Sequence, residues 1–358
     1  MLVANSPEKP KPIAYLNVLR VAGIIGVLVT HVFMTTCANW APILQKGELY
    51  FCTVLRNLWH WCVPVLVMIS GVLFLNPEKE ITISKIINRY VVKMVLVLAL
   101  LAIPAETALQ FVASGYQFSL QHIKTAAMNI AQGKTQTHFW FLFLIIGLYL
   151  ITPLLRAFTR YAAKKEYEYL LVILFIFTSV IATIKKLALA DFGINIPISS
   201  VYVMYFLLGF YINRYNITFP LKALLAVILC FILYTALASL NKDMVNPLLD
   251  NMLITSDKDS PIIVLTAAAI FIAFRTKCVK SSFFDHIAPL CFVIYLVHPF
   301  FIYALYILLN WTPVNYSLPL FLSVNILVTL GLSLGASFCI QKIKLSFRLS
   351  KIIYKTTT

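Results

Sequence analysis

Long apolar stretches separated by short polar ones dominate the chain. The first follows the polar segment MLVANSPEKPKP and reads IAYLNVLRVAGIIGVLVTHV. Further runs of similar character continue almost to the C-terminus. A run of about 20 apolar residues is what an α-helix needs to cross about 30 Å of hydrocarbon with every backbone group satisfied. Strands of a membrane barrel would instead alternate polar and apolar positions in short segments. The runs here are continuous, so the pattern predicts an all-α, polytopic integral membrane protein. Ten spans are expected, near 13–37, 57–76, 90–113, 138–157, 168–186, 198–213, 221–240, 260–275, 286–308 and 316–340. The sixth and eighth are the shortest. Residues 13–340 then form one membrane domain, with residues 1–12 and 341–358 as polar tails.

Composition supports this class. Hydrophobic residues make up 61% of the chain and charged residues 12%, far more apolar surface than a soluble domain of this length needs to bury. The net charge of +16 matters less than its distribution. With a cytoplasmic N-terminus, 21 of the 29 Lys and Arg residues fall on inner segments. That asymmetry is the positive-inside bias, and it places both termini in the cytoplasm. It also explains the basic balance through anionic lipid headgroups, with no need for nucleic acid. No cleaved signal peptide is expected: the first apolar run is too long, contains Arg20 and lacks a small-residue cleavage site.

The seven cysteines show no CxxC and no Cys/His spacing suited to zinc. Cys230, Cys278, Cys291 and Cys339 read as apolar filler. Cys37 and Cys52 fall near the outer face and are the candidates for a pair if that compartment is oxidising. Two longer outer loops are expected, 114–137 and 241–259. The second collects Asp243, Asp250, Asp257 and Asp259, and reads either as a solvated loop or as a lid over a substrate.

The candidate chemistry starts inside the first span. Arg20 and His31 are eleven residues apart, about 20° beyond three full turns, so they share a helix face about 16 Å apart in depth. Ionisable residues in a span mark function by default. Imidazole suits proton transfer near neutral pH. His31 therefore reads as a base, or else as an interhelical hydrogen bond that packs the bundle. Arg20 reads as a cation for phosphates or a thioester oxygen, or else as a snorkelling residue at the inner headgroups. Glu106 is the one acidic residue well inside a span. It is expected to face and orient His31, unless Pro104 breaks the helix early and leaves it in the outer interface. His138 and Trp140 sit at the outer mouth of span four, and Trp59, His60 and Trp61 lie at the same level on span two. Aromatic rings there stack on sugar faces or belong to a membrane belt. Ser70 and Gly71 would let helices pack closely. Tyr295 and His298 share a face of span nine, where structural hydrogen bonding is the preferred reading.

Four local patterns occur in order: Arg20-x10-His31; Val63-Pro64-Val65-Leu66-Val67-Met68-Ile69-Ser70-Gly71; His138-Phe139-Trp140-Phe141-Leu142; and Ile294-Tyr295-Leu296-Val297-His298-Pro299. In this combination the chain resembles the integral-membrane acyltransferase family 3. Within it, the chain is most similar to the branch that O-acetylates surface polysaccharides of the enterobacterial common antigen type. The resemblance implies a multi-pass protein of the bacterial cytoplasmic membrane. It implies transfer of an acyl group from a cytoplasmic donor, acetyl-CoA, to a hydroxyl of a surface or lipid-linked glycan, with Arg20 and His31 as the functional centre and His138, which opens the third pattern, in acceptor binding or catalysis. Acetyl-CoA is then a cosubstrate, and no metal or tightly bound cofactor is expected. The chain departs from the family in one place. Many members carry an arginine four residues before the proline of the second pattern. Here that position is His60, with Arg56 one turn earlier, so either Arg56 takes over the role or the outer site differs. The competing reading is a glycan or lipid transporter or flippase without acyl transfer.

Overall fold

The computed structural model describes residues 14–134, 138–186, 200–239, 257–277 and 281–342. The N-terminal tail, nearly all of the C-terminal tail, Asp243, Asp250 and Cys278 lie outside the described residues. Among the described residues every regular element is a helix: α1 (Ala14–Trp40), α2 (Lys46–Leu58), α3 (Cys62–Phe74), α4 (Ile83–Val112), α5 (Leu120–Ala131), α6 (Trp140–Tyr161), α7 (Lys164–Lys186), α8 (Val201–Arg214), α9 (Leu221–Ala238), α10 (Pro261–Lys277), α11 (Ser282–Leu308) and α12 (Leu318–Lys342).

Among the described residues, eight helical stretches are long and apolar enough to cross a membrane, with α2 and α3 counted as one. The expected sixth and eighth spans are α8 and α10, of 14 and 17 residues. At about 1.5 Å per residue they rise about 21 and 25 Å, short of the hydrocarbon thickness.

The chain divides into two compact units. One takes the described residues up to Leu73 and those from Ala163 onward; the other is Phe74–Ala162. In the first unit α1 is the central helix. Buried positions run all round it, from Tyr15, Leu16 and Val18 to Val32, Phe33 and Thr36, as expected of a helix apolar on every face. Of its most apolar window 61% is buried, against 22% for α9, so α9 leaves most of its apolar surface uncovered by the protein and α1 much less. Helix α1 packs on α2, α10, α11 and α12. It runs parallel to α11: Arg20 lies near Cys291, His31 meets His298, and Thr35 meets Tyr306.

The second expected span begins earlier than residue 57. Helix α2 starts at Lys46, where the Glu48 carboxylate accepts from the Gln45 N–H at 3.0 Å. The chain then turns through Trp59, His60 and Trp61 before α3. Pro64 favours the break, because it has no N–H for the His60 carbonyl and is best accommodated in a first turn, where it stands in α3. Gly71 of α3 sits against the Phe206 backbone of α8, and Gly209 of α8 sits against the Met68 backbone. The two helices thus cross through reciprocal glycines, the close approach that small residues permit.

In the second unit, α4 contains two π segments, Ile86–Val91 and Leu98–Ala102. The region read as an outer loop, 114–137, contains α5. This is a correction with a simple cause. Helix α5 is amphipathic, burying Ala126 and Ile130, and too short to register among 20-residue apolar runs. The Ser119 hydroxyl caps it, accepting from the Gln121 N–H at 3.2 Å.

Arg156 on α6 gathers the segment that precedes α4. Its guanidinium donates to the carbonyls of Phe74 (2.7 Å), Asn76 (2.8 Å) and Lys79. Charged donors to carbonyls contribute more than neutral ones, so Arg156→Ala should cost about 2 kcal/mol or more. The check is a lower thermal midpoint of the detergent-solubilised protein, followed by size exclusion.

Candidate functional site

The site is built where α1 and α11 run side by side. His31 is half-buried on α1, and His298 is buried on α11. Their ring centroids are 4.9 Å apart with the planes tilted by 34°. His298 Nε2 lies 2.9 Å from His31 Nδ1, and His298 Nδ1 lies 3.1 Å from the carbonyl oxygen of Ile294.

In a neutral pair these two contacts are satisfied by one set of tautomers, in which the His31 N–H also faces the Val27 carbonyl that accepts from its ring. A carbonyl oxygen only accepts, so His298 Nδ1 carries the proton and donates to Ile294. His298 Nε2 is then an acceptor, and His31 Nδ1 must donate to it. The lone pair of His31 is left on Nε2. The relay from backbone carbonyl to His298 to His31 thus presents one basic nitrogen in a set orientation. This is the logic of a base held by a third group, with an imidazole in place of the usual carboxylate. Pro299 follows His298 inside the helix, and Tyr295 is buried one turn earlier, its ring 6.2 Å from that of His298.

Arg20 stands three turns before His31 on the same face. Its guanidinium is within electrostatic range of Cys291. Around it the end of α1 is polar: Asn17 donates to Asp285 at 2.8 Å, and Tyr15 donates to Asn213 at 2.6 Å. The pair that the sequence places on one face therefore brackets a stretch of the α1–α11 seam, with a cation at one end and the imidazole pair at the other.

Lys258 is the second contribution that sequence reading missed. It lies within electrostatic range of His31, on a short segment that is pinned on several sides. Tyr205 donates to the Lys258 carbonyl at 2.6 Å, and Ser179 donates to the Asp259 carbonyl at 2.5 Å. The Lys186 ammonium bridges Asp257 at 3.1 Å and Asp259 at 2.8 Å. Burial lowers the Lys258 pKa from the ordinary lysine value. The acidic character of this loop hid it: in SDKDS the lysine looks like one more solvated charge, whereas the two aspartates are held by Lys186.

The other candidates are distributed as follows. Arg56 donates from Nε to Asn57 at 3.2 Å, and Asn57 donates to Ser239 at 3.3 Å. His60 and Trp61 lie in the turn between α2 and α3, and the Trp59 and Trp61 rings are 5.9 Å apart. In the second unit, His138 is buried against Phe139, their rings 3.9 Å apart, and Trp140 opens α6. Glu106, also in that unit, accepts from Asn129 at 3.3 Å. A cleft of about 520 Å³ in the second unit is lined by Glu80, Thr82, Arg156 and Arg160 among others. The Arg156 guanidinium is occupied by carbonyls, which leaves Arg160 as the exposed cation at that cleft.

Chemically, an oriented neutral imidazole can take a proton from a hydroxyl, and a nearby ammonium group such as Lys258 can stabilise negative charge that develops on an acyl oxygen. A family model described as an acyltransferase domain, of the acyltransferase 3 type, matches residues 13–338. The match takes in nearly the whole chain, and the chain belongs to that family. Comparison with curated proteins and with solved structures finds no match.

Proposed function

We propose that this membrane acyltransferase moves an acetyl group from cytoplasmic acetyl-CoA to a hydroxyl of a surface or lipid-linked glycan. The observation that carries the reading is the 2.9 Å contact between His298 and His31, which equips the family's acyl-transfer chemistry with an oriented base. In the proposed step, His31 Nε2 takes the proton of the acceptor hydroxyl. The hydroxyl oxygen attacks the thioester carbonyl, the C–S bond breaks, and His31 returns the proton to the leaving thiolate. The same base serves a route through a transient acyl-enzyme. The orienting role expected of Glu106 goes to His298 in this account. Lys258 supplies positive charge that favours the oxyanion, and Arg20 supplies it for the donor.

In the proposed topology α8 and α10 complete ten spans, and both termini are cytoplasmic. The protein sits in the bacterial inner membrane, with Arg20 toward the donor side. Arg160 at the cleft of the second unit is suited to a phosphate of the donor. Arg160→Ala should then raise KM for acetyl-CoA about tenfold, the effect of losing one charge-assisted hydrogen bond, with kcat little changed. Arg56, His60 and Trp61 in the first unit, and separately His138 and Trp140 in the second, are the candidates for contact with the acceptor, since aromatic rings suit sugar faces. No metal takes part in the proposed step.

The test uses membranes containing the wild-type chain or His31→Ala, supplied with isotope-labelled acetyl-CoA and native glycolipid. Mass spectrometry of the glycolipid should show the acetyl mass increment with the wild type and none with the variant. Glycan or lipid movement without consumption of acetyl-CoA would favour a transporter and overturn the reading.

A further inference from the structure

Cys37 and Cys52 belong to neighbouring helices that pack directly on one another, α1 and α2. Both sit in one apolar cluster with Val29, Val32, Phe33 and Leu55. Their thiols are close enough to interact electrostatically. Cys52 is completely buried and Cys37 is partly exposed. The pair therefore has what a reversible cross-link requires: two thiols in one cluster on helices that pack together, one open to an incoming reagent and the other shielded.

We infer that Cys37 and Cys52 form a redox-convertible disulfide that fastens α2 to the end of α1 beyond His31. The oxidant is a disulfide, either small or carried by a protein. The Cys37 thiolate attacks one sulfur of that disulfide, and the other sulfur leaves as a thiolate and takes up a proton. Cys52 then attacks the Cys37 sulfur of the mixed disulfide, and the second donor sulfur leaves and is protonated. Two cysteine thiols are oxidised to one bond, and the oxidant is reduced to two thiols. The new bond closes the segment 38–51, which contains the turn between the helices. It ties the helix that carries Arg56 to the one that carries His31. The inference rests on the packing of α1 and α2 and not on the acyl-transfer reading, and its test needs no substrate.

The full-length protein in detergent is treated with oxidised glutathione, its remaining thiols are blocked with N-ethylmaleimide, and the protein is denatured and digested for mass spectrometry. The expected result is that two of the seven cysteines escape alkylation and that one linked peptide joins Cys37 to Cys52. A reductant should restore both to the maleimide. Cys37→Ser, at the partly exposed position, should abolish the linked peptide; Cys52→Ala should do the same while keeping an apolar group in the cluster. Oxidation should also raise the thermal midpoint of the wild type and leave both variants unmoved. Alkylation of all seven cysteines after oxidation, or a linked peptide from another pair, would overturn the inference.

Discussion

His298→Ala is expected to lower acyl transfer by about a hundredfold or more, with KM for acetyl-CoA close to that of the wild type. A positioned general base contributes about 10² to 10⁴ in rate, and His298 is what positions this one. Without it, His31 Nδ1 loses its 2.9 Å partner on α11; the hydrogen bond to the Val27 carbonyl within α1 remains, but the contact that selects the tautomer with a free Nε2 is gone. His31→Ala should be at least as damaging. The two residues act as one unit, so the double variant should be no worse than His31→Ala alone, a failure of additivity that independent sites do not show. His298→Gln offers a side-chain oxygen that can accept from His31 Nδ1, and should recover part of the loss. A structural role for His298 would instead appear as lower thermal stability, with the same loss in both variants. Kinetics of the purified protein, with thermal midpoints measured alongside, check all four outcomes.

The second large effect is on the fold. Gly71→Ala should cost more than about 3 kcal/mol, at or beyond the upper end of ordinary overpacking penalties. A methyl group at Gly71 would overlap the Phe206 carbonyl, and one at Gly209 would overlap the Met68 backbone. Neither neighbour is a side chain that can swing away; the helices themselves must separate. Loss of the crossing would also release α8, whose Tyr205 holds the Lys258 segment. Gly331→Ala on α12 is the matched control, because nothing lies near its new methyl group, and alanine there should be neutral or slightly stabilising. Yield and size-exclusion profile in detergent should collapse for Gly71→Ala and Gly209→Ala and stay normal for Gly331→Ala.

The helical membrane class and the first half of the candidate site were legible in the sequence because both rest on local spacing. Apolar runs announce the long helices, and an eleven-residue interval puts Arg20 and His31 on one face. His298 was visible as part of a motif, but its use was not. A histidine in an apolar helix looks like a packing residue until the helix beside it is known, and its partner is 267 positions away. Lys258 was hidden for the opposite reason, since charged neighbours made a buried lysine look solvated. Helix α5 escaped because its apolar face is periodic and not continuous. Gly71 carried a small-residue signal, while its counterpart, Gly209, needed the crossing of α3 and α8 to acquire meaning. What sequence spacing cannot supply in each case is the facing element.

The measurement that bears most directly on the central claim is release of free thiol from acetyl-CoA by the purified protein, with glycolipid acceptor present. The wild type should release thiol continuously, and His31→Ala should fall to the rate of acetyl-CoA and acceptor alone. Equal release by the wild type and His31→Ala would contradict the assignment of the α1–α11 imidazole pair as the centre of acyl transfer.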